Sequence, residues 1–435
     1  MRDQSSHVEV SRQEALDRLL GACHFAPATE RVPVDRAFGR VLAADAKAQL
    51  DMPNCLTCNM DSVAVRWADF AAAAAEGGEG TLPDTSAWKR GVEWEFANTG
   101  IGMPEGFDTA IVIEHVQLTE DADGTQHVTF DAAPSRQFAG TTPAGSRMKK
   151  GQVLVEAGNQ LTPLLLSLIA GGNNTTVEVI AKPRVGFIPT GNELVTPGNA
   201  VARGKNIETN SLLAKGKIEA WGGECTVYPI VPDDPAAIRQ AVVRAARECD
   251  IVVLNAGSSK GNDDWNIEML EEVGQVLYHE TNHGPGHHSS ASVVEGTPVV
   301  GISGPPGGAA FTMDFYLYPV IMTWFGLPAE LDTLQVRLGK MFSTGGAGGH
   351  GAKKAGEGAG KGEVRPTLTA DGREFFSVKQ LQFYQEEGSA ELWAMPASST
   401  HPKPVEADGM DCYYLLNADA GQPLYGEILE VDVRP

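Results

Sequence analysis

The chain has 435 residues, with 34 Lys or Arg against 56 Asp or Glu and a net charge of −22 at pH 7. At about 100–200 residues per domain this length implies roughly three or four domains, and the acidic balance argues against nucleic acid or an anionic membrane surface as partners. Hydrophobic residues make up 42% and charged residues 21% of a chain with six scattered cysteines, which fits a globular protein without a disulfide framework, and no run of about 18 apolar residues suggests a membrane span.

The start, MRDQSSHVEVSRQEALDRLL, is polar and then amphipathic, unlike a signal peptide, so a cytoplasmic protein with reduced thiols is expected. Ser11 followed by Glu14 is a capping-box pattern, and Ala15, Leu16, Leu19 and Leu20 form an apolar stripe at helical spacing. A short strand is expected over 31–34 and a helical turn near 39–44. From 51 to 144 the segments SVAVRW, VEWEFANTG, TAIVIEHVQL and QHVTFDAA alternate with Gly, Pro and Asp, which predicts a small inserted β domain. A β-like GQVLVEAGNQ and an apolar helix LTPLLLSLIAGG follow. Residues 145–182 are expected to rejoin 1–50 in one elongated domain.

Over 183–326 short apolar strands alternate with helices. Strands are expected at 185–188, 225–231, 250–257, 276–280 and 298–304. Helices are expected at 210–221, from 235 to 249, from about 263, and over 309–325, with a His/Gly loop after 280. This alternation predicts a doubly wound, mostly parallel α/β domain, with bounds 183–330. Residues 331–435 are expected to form a small C-terminal β domain, and the Gly/Ala/Lys-rich stretch 343–361 a flexible loop.

Three strands of the α/β region end in glycine-containing turns: PTGNE (189–193), NAGSSKG (255–261) and SGPPGG (303–308). In an open parallel sheet, ligands sit beyond the carboxyl ends of the strands. Glycines there let backbone N–H groups approach a ligand, and helix N-termini behind them add partial positive charge, which suits a phosphate or another oxyanion. The G-x-G-x-x-G fingerprint is absent, which argues against a dinucleotide. Glu193, Asp233, Asp234, Asp263 and Asp264 crowd the same rim. They suit Mg²⁺, a hard cation that bridges to phosphate. Helix capping by Asp233 and Asp263 is the alternative.

Several pieces in chain order resemble one family, the molybdopterin molybdenumtransferases (the gephyrin E-domain family). They are DMPNCLTCNMDSVAVR (51–66), NTGIGMPEGFDTAIVIEHV (98–116), KPRVGFIPTGNELVTPG (182–198), IVPDDPAAIRQAV (230–242) and GNDDWNIEMLEEVG (261–274). The resemblance implies insertion of molybdate into adenylylated molybdopterin with release of AMP and use of Mg²⁺. It also implies a homodimer whose sites are completed across subunits. Position by position, it marks Asp61, Thr99, Asp233 and Asp264 as catalytic, with Glu193, Asp233 and Asp264 at the metal. Thr190, Gly191, Glu193, Gly257, Ser258, Ser259, Ser303, Gly304 and His287 would bind the pterin and phosphate.

The chain departs from the family pattern at several of these places. Met60-Asp61-Ser62-Val63-Ala64 stands for Met-Asp-Gly-Tyr-Ala, and Asn255-Ala256-Gly257-Ser258-Ser259 for Ser-Gly-Gly-Val-Ser. A lysine-rich segment reads Gly284-Pro285-Gly286-His287-His288, and an earlier lysine aligns with Glu280. Fewer fixed cations weaken the attraction for an oxyanion. Three functions therefore stay open. The first is an active insertase. The second is a diverged carrier of molybdopterin, of the molybdenum cofactor or of a tungsten cofactor, serving a recipient molybdoenzyme or chaperone. The third is a scaffold. Two further features stay open as well. Cys55-x-x-Cys58 has redox or zinc spacing without a second pair. His279, His283, His287 and His288 read as a metal site, an anion loop or a plain polar loop, and Gly284-Pro285-Gly286 rules out a helical pair of His283 and His287.

Overall fold

The structure, a computed structural model, describes residues 10–255, 266–284, 286–342, 374–385, 389–397, 411–417 and 422–435. The chain forms two compact units, Thr29–Ile180 and a second made of Met1–Ala28 with Ala181–Pro435.

In the first unit, Thr29–Pro33 pairs antiparallel with Thr176–Ile180, and Ala46–Lys47 pairs with Val153–Val155. The helix Pro163–Gly171 starts where expected. Thr162 accepts the Leu165 N–H, and Pro163 fills a first-turn position where no donor is needed. Ile169 of this helix is buried with Leu42, Val155, Leu161 and Val179. The helical turn expected at 39–44 is instead irregular backbone, with single bridges from Val41 to Gln160 and from Leu42 to Val179; the one 3₁₀ turn nearby is Val34–Arg36. The inserted segment has Ser62–Val65 between Trp94–Ala97 and Thr109–Val112, all antiparallel, beside a hairpin of Val116–Glu120 with Gln126–Phe130. It also holds a helix, Trp67–Gly77, where only β structure was expected. The alanine run 71–75 has the strongest helix propensity of any residue type, and Gly78 at φ +95° ends it.

The second unit is built on a six-stranded sheet. Its spatial order is Glu224–Val227, Arg184–Pro189, Ile251–Asn255, Thr297–Ile302, Ser290–Val294, Gly274–His279. The first four strands are parallel and almost wholly buried in the three central positions, as a sheet covered on both faces requires. The fifth, Ser290–Val294, is antiparallel to both its neighbours, so the sixth, Gly274–His279, runs in the direction of the first four. The strand Ser290–Val294 falls where a loop was expected. Its cause is a two-residue turn, Glu295-Gly296, with both φ positive (53° and 84°), the geometry that joins a tight hairpin. Helices Asn210–Ala220 and Pro235–Glu248 lie where the pattern placed them, and Val242 and Ala245 of the second are buried against Ile188, Val252 and Leu254.

The helix Arg12–Gly21 is capped by Ser11, which accepts the Glu14 N–H at 3.1 Å. It was expected to share a domain with 145–182. It packs instead on Gly274–His279, Ser290–Val294 and the helix Tyr318–Phe325, with Arg18 donating to the Leu277 carbonyl. The C-terminal part forms a small closed barrel. Phe376–Gln385 pairs with both Leu392–Pro396 and Cys412–Asn417, and Thr333–Leu338 and Ile428–Val433 complete the ring, so those strands leave no open edge. No helix among the described residues is long and apolar enough to cross a membrane.

Candidate functional site

From the strand Arg184–Pro189 the chain goes to one neighbour, Glu224–Val227, and then to the opposite one, Ile251–Asn255. The connections therefore reverse between the first and the third, and ligands of such sheets bind at this reversal, beyond the carboxyl ends. Thr190 and Asn255 stand there. The Asn255 carbonyl accepts both the Thr190 N–H, at 3.1 Å, and its Oγ1–H, at 2.9 Å. The Asn255 side chain accepts from Asn210 Nδ2 at 2.9 Å and donates to the Ser303 carbonyl at 3.1 Å. Asn210 Nδ2 also donates to the Gly304 carbonyl at 2.8 Å.

Two amides thus lock three strand ends and the start of helix Asn210–Ala220 into one rigid cluster. Asn210, Asn255 and Ser303 are only 5%, 4% and 5% exposed. Two of their buried polar atoms, Asn210 Oδ1 and Ser303 Oγ, have no hydrogen-bond partner among the described residues. Unsatisfied buried groups cost free energy, so a cluster that keeps two is suited to a polar ligand. Gly308 permits the close approach, because a Cβ there would fall 2.3 Å from Ser303 Oγ.

The acids sort differently from the capping alternative. Asp234, not Asp233, caps the helix Pro235–Glu248, accepting the Ala237 N–H at 2.8 Å. Asp233 instead accepts the Asn192 N–H at 2.8 Å, and Asn192 returns the contact to the Asp233 N–H. The Glu193 carboxylate folds back over Gly191, where a Cβ would lie 2.7 Å from Oε2. Gly191 has φ +147° and donates to the Val231 carbonyl. Asp233 and Glu193 therefore flank the adjacent residues Gly191 and Asn192. Gly257, Ser258, Ser259, Asp263 and Asp264 lie outside the described residues, as does 343–361.

In the other unit, Asp61 and Thr99 meet directly. The Asp61 carboxylate accepts the Thr99 N–H and Oγ1–H, each at 3.0 Å, and these bonds, the backbone one first, hold its pKa below the usual range. Cys55 is exposed whereas Cys58 is buried, with Sγ donating to the Met60 carbonyl.

The histidines split into two groups. His283 is a core residue, stacked on Tyr316 with Nε2 2.7 Å from its Oη. His287 and His288 lie together, their ring centroids 3.6 Å apart, with Glu280 beside them.

Sequence reasoning missed Asn210 and the side chain of Asn255. The available signal was a polar amide ending an otherwise apolar five-residue strand.

Residues 186–323, which contain the strand-end cluster, match the family described as "Probable molybdopterin binding domain", and residues 10–171 match "MoeA N-terminal region (domain I and II)". A molybdopterin molybdenumtransferase of Haemophilus influenzae is 29% identical over 313 residues, covering 71% of this chain and 76% of the relative. One from Bacillus subtilis is 26% identical over 318 residues, covering 69% and 72%. The crystal structure of the molybdopterin biosynthesis protein MoeA of Pyrococcus horikoshii superposes with a TM-score of 0.73 over 98% of this chain and 99% of that one, at 22% identity, a likeness of fold. These matches first define a class, a mixed α/β protein organised around a molybdopterin-binding type of domain and ending in a small β-barrel. Within that class, the chain belongs to the molybdopterin molybdenumtransferase family.

Proposed function

We propose that this protein acts in molybdenum cofactor biosynthesis, inserting molybdate into adenylylated molybdopterin with release of AMP. The observation that carries the reading is the amide-locked cluster of Thr190, Asn255, Asn210 and Gly304 at the sheet's reversal point, inside the segment that matches the molybdopterin-binding family. A preorganised rim of this kind positions a ligand and spares it the cost of ordering the loops.

Mg²⁺ is implied by the family, and the donor chemistry fits: Glu193 and Asp233 offer hard carboxylate oxygens beside Gly191 and Asn192. Bound there, Mg²⁺ would neutralise phosphate charge. Asp233 holds the Asn192 N–H and so fixes the loop against which the phosphates would rest. Asp264 is proposed as a third acid. Asp61, oriented by Thr99, is proposed as a further catalytic acid, and the family resemblance supports a homodimer and a cytoplasmic location.

The test incubates pure protein with adenylylated molybdopterin, molybdate and Mg²⁺ and measures AMP release and molybdenum uptake. Asp233→Asn should lower the rate by about 10²–10³-fold, the scale at which losing one electrostatic group acts, without changing the circular dichroism. Tight binding of the pterin with no AMP formed would favour the carrier reading instead, which the histidines in place of family lysines support. Failure to bind any pterin would sink both.

A further inference from the structure

The turn between strands Gly274–His279 and Ser290–Val294 gathers three metal-ligating side chains, none of them among the acids assigned above. Glu280, His287 and His288 each place one donor atom within 4.8 Å of the others. Glu280 Oε1 lies 3.2 Å from His288 Nδ1. The two are hydrogen-bonded; donors sharing a tetrahedral ion with bonds of about 2.0–2.1 Å stand roughly 3.3 Å apart, so an ion taking the place of the shared proton would find both donors at ligand spacing.

The backbone builds this convergence. Glu280 N–H donates to the Ser289 carbonyl, Thr281 N–H to that of His287, and Ser289 N–H to that of Gly286. These bonds fold the turn back so that Glu280 faces residues seven and eight positions on. Glu280 itself takes φ +67°, a left-handed conformation that disfavours a side-chain-bearing residue, and it is buried. Strained backbone kept at a cluster of polar groups is a mark of functional sites. Gly286, at φ +93°, presses on Phe311, and a Cβ there would fall 2.5 Å from the ring.

The turn also reaches the strand-end cluster. A Cβ on Gly308 would lie 2.3 Å from Ser303 Oγ and 3.6 Å from the Gly286 backbone nitrogen, so both segments meet at one glycine. The sequence itself has no Lys or Arg between Lys260 and Arg337.

We propose that Glu280, His287 and His288 hold a divalent transition-metal ion of the zinc class at the edge of the Ser303 loop. Two imidazoles and one carboxylate are the donor set of open zinc sites, which keep a position for an exogenous oxygen ligand, whereas Mg²⁺ prefers oxygen donors. The ion would supply a fixed positive charge beside the Ser303 loop, where an oxyanion is expected. That role rests on the molybdate reading above, but the metal site itself does not.

Untagged full-length protein, stripped with a chelator, is titrated with Zn²⁺ by calorimetry and with Co²⁺ by visible absorption. One equivalent per chain is expected, undisplaced by excess Mg²⁺. Affinity should fall at least about 100-fold in the His287→Ala, His288→Ala double variant. Glu280→Gln, which keeps the shape of the side chain, should weaken binding too, and thermal unfolding of each variant checks that it folds. No Zn²⁺ uptake by the wild type overturns the proposal without any variant. Uptake that survives the double variant, or that is lost in Cys55→Ser instead, overturns it as well. Stoichiometric Zn²⁺ at these residues with no AMP release leaves the metal site standing and removes the insertase reading. Full AMP release by protein that takes up no Zn²⁺ does the reverse.

Discussion

At the scale of single residues, Asp61 offers a direct test. It is an exposed carboxylate, yet two donors from one residue, the Thr99 N–H and Oγ1–H, keep it ionised below the usual carboxylate range. Thr99→Val removes the hydroxyl and leaves the N–H. The Asp61 pKa should then rise toward its ordinary value without reaching it, read from the carboxyl carbon shift in an NMR titration. A folded-state pKa that is depressed contributes stability above the unfolded pKa, and this is lost as pH falls through the folded value. The variant should therefore be less stable than wild type near neutrality and match it only in acid below both values. An Asp61 titration unchanged by Thr99→Val would show that the hydroxyl bond does not matter. Asn255 makes the second residue-level case. Asn255→Ala leaves the Asn210 amide and the Ser303 carbonyl without their buried partner, which costs about 1–3 kcal/mol for an unsatisfied group. Urea unfolding should show that loss, together with weaker pterin binding.

At the scale of elements, the C-terminal helix of the α/β part is not the plain apolar helix expected over 309–325. It runs as Pro306–Thr312, a π turn at Met313–Leu317, and Tyr318–Phe325, ending at Gly326 with φ +68°. The π turn carries Asp314, fully buried, which is ion-paired with Lys217 of the helix Asn210–Ala220 and accepts the Tyr413 hydroxyl of the barrel at 2.5 Å. Burial lowers the Lys217 pKa, and Asp314 opposes that shift; burial pushes the Tyr413 hydroxyl far up. This ties the helix that begins with Asn210 to the barrel. Asp314→Ala strands a buried ammonium and should cost about 3–5 kcal/mol, measured by denaturant unfolding. The double change Lys217→Met with Asp314→Leu removes both charges of the pair and should recover part of it, while the Tyr413 hydroxyl still loses its acceptor. Strands and helices with a single clear period were legible from sequence: the capped helix after Ser11, the helix after Asp234-Pro235, and the apolar strand Ile251–Asn255. The hairpin strand Ser290–Val294 was not, because its signal lay in the Glu295-Gly296 turn rather than in its own pattern. The strand-end position of Thr190, Gly191, Ser303 and Gly304 was readable from their glycine turns. The Asn210–Asn255 bond joins residues 45 apart, and the Glu280–His288 contact needs a left-handed residue, so neither leaves a local trace.

At the scale of the whole molecule, the charge sets a condition on ligand capture. The chain carries −22 overall, and the ligand proposed for it, a pterin bearing phosphates, is an anion too. Two fields then compete. The averaged field of the protein repels the ligand at long range, while backbone N–H groups, helix ends and any bound cation attract it at contact. Salt separates them, because the screening length shrinks from about 30 Å at 0.01 M to about 8 Å at 0.15 M. Screening removes the distant repulsion first and leaves the short contacts nearly intact. The association rate constant of molybdopterin should therefore increase with ionic strength over this range, the opposite of a site that steers its anion by a basic surface. Stopped-flow fluorescence at constant pH, with KCl as the only variable, reads this directly, and the dissociation rate should change far less. An association rate that instead falls as salt is added would mean that the local positive field extends beyond the rim, and that the acidic remainder of the chain stands too far from the approach path to govern capture.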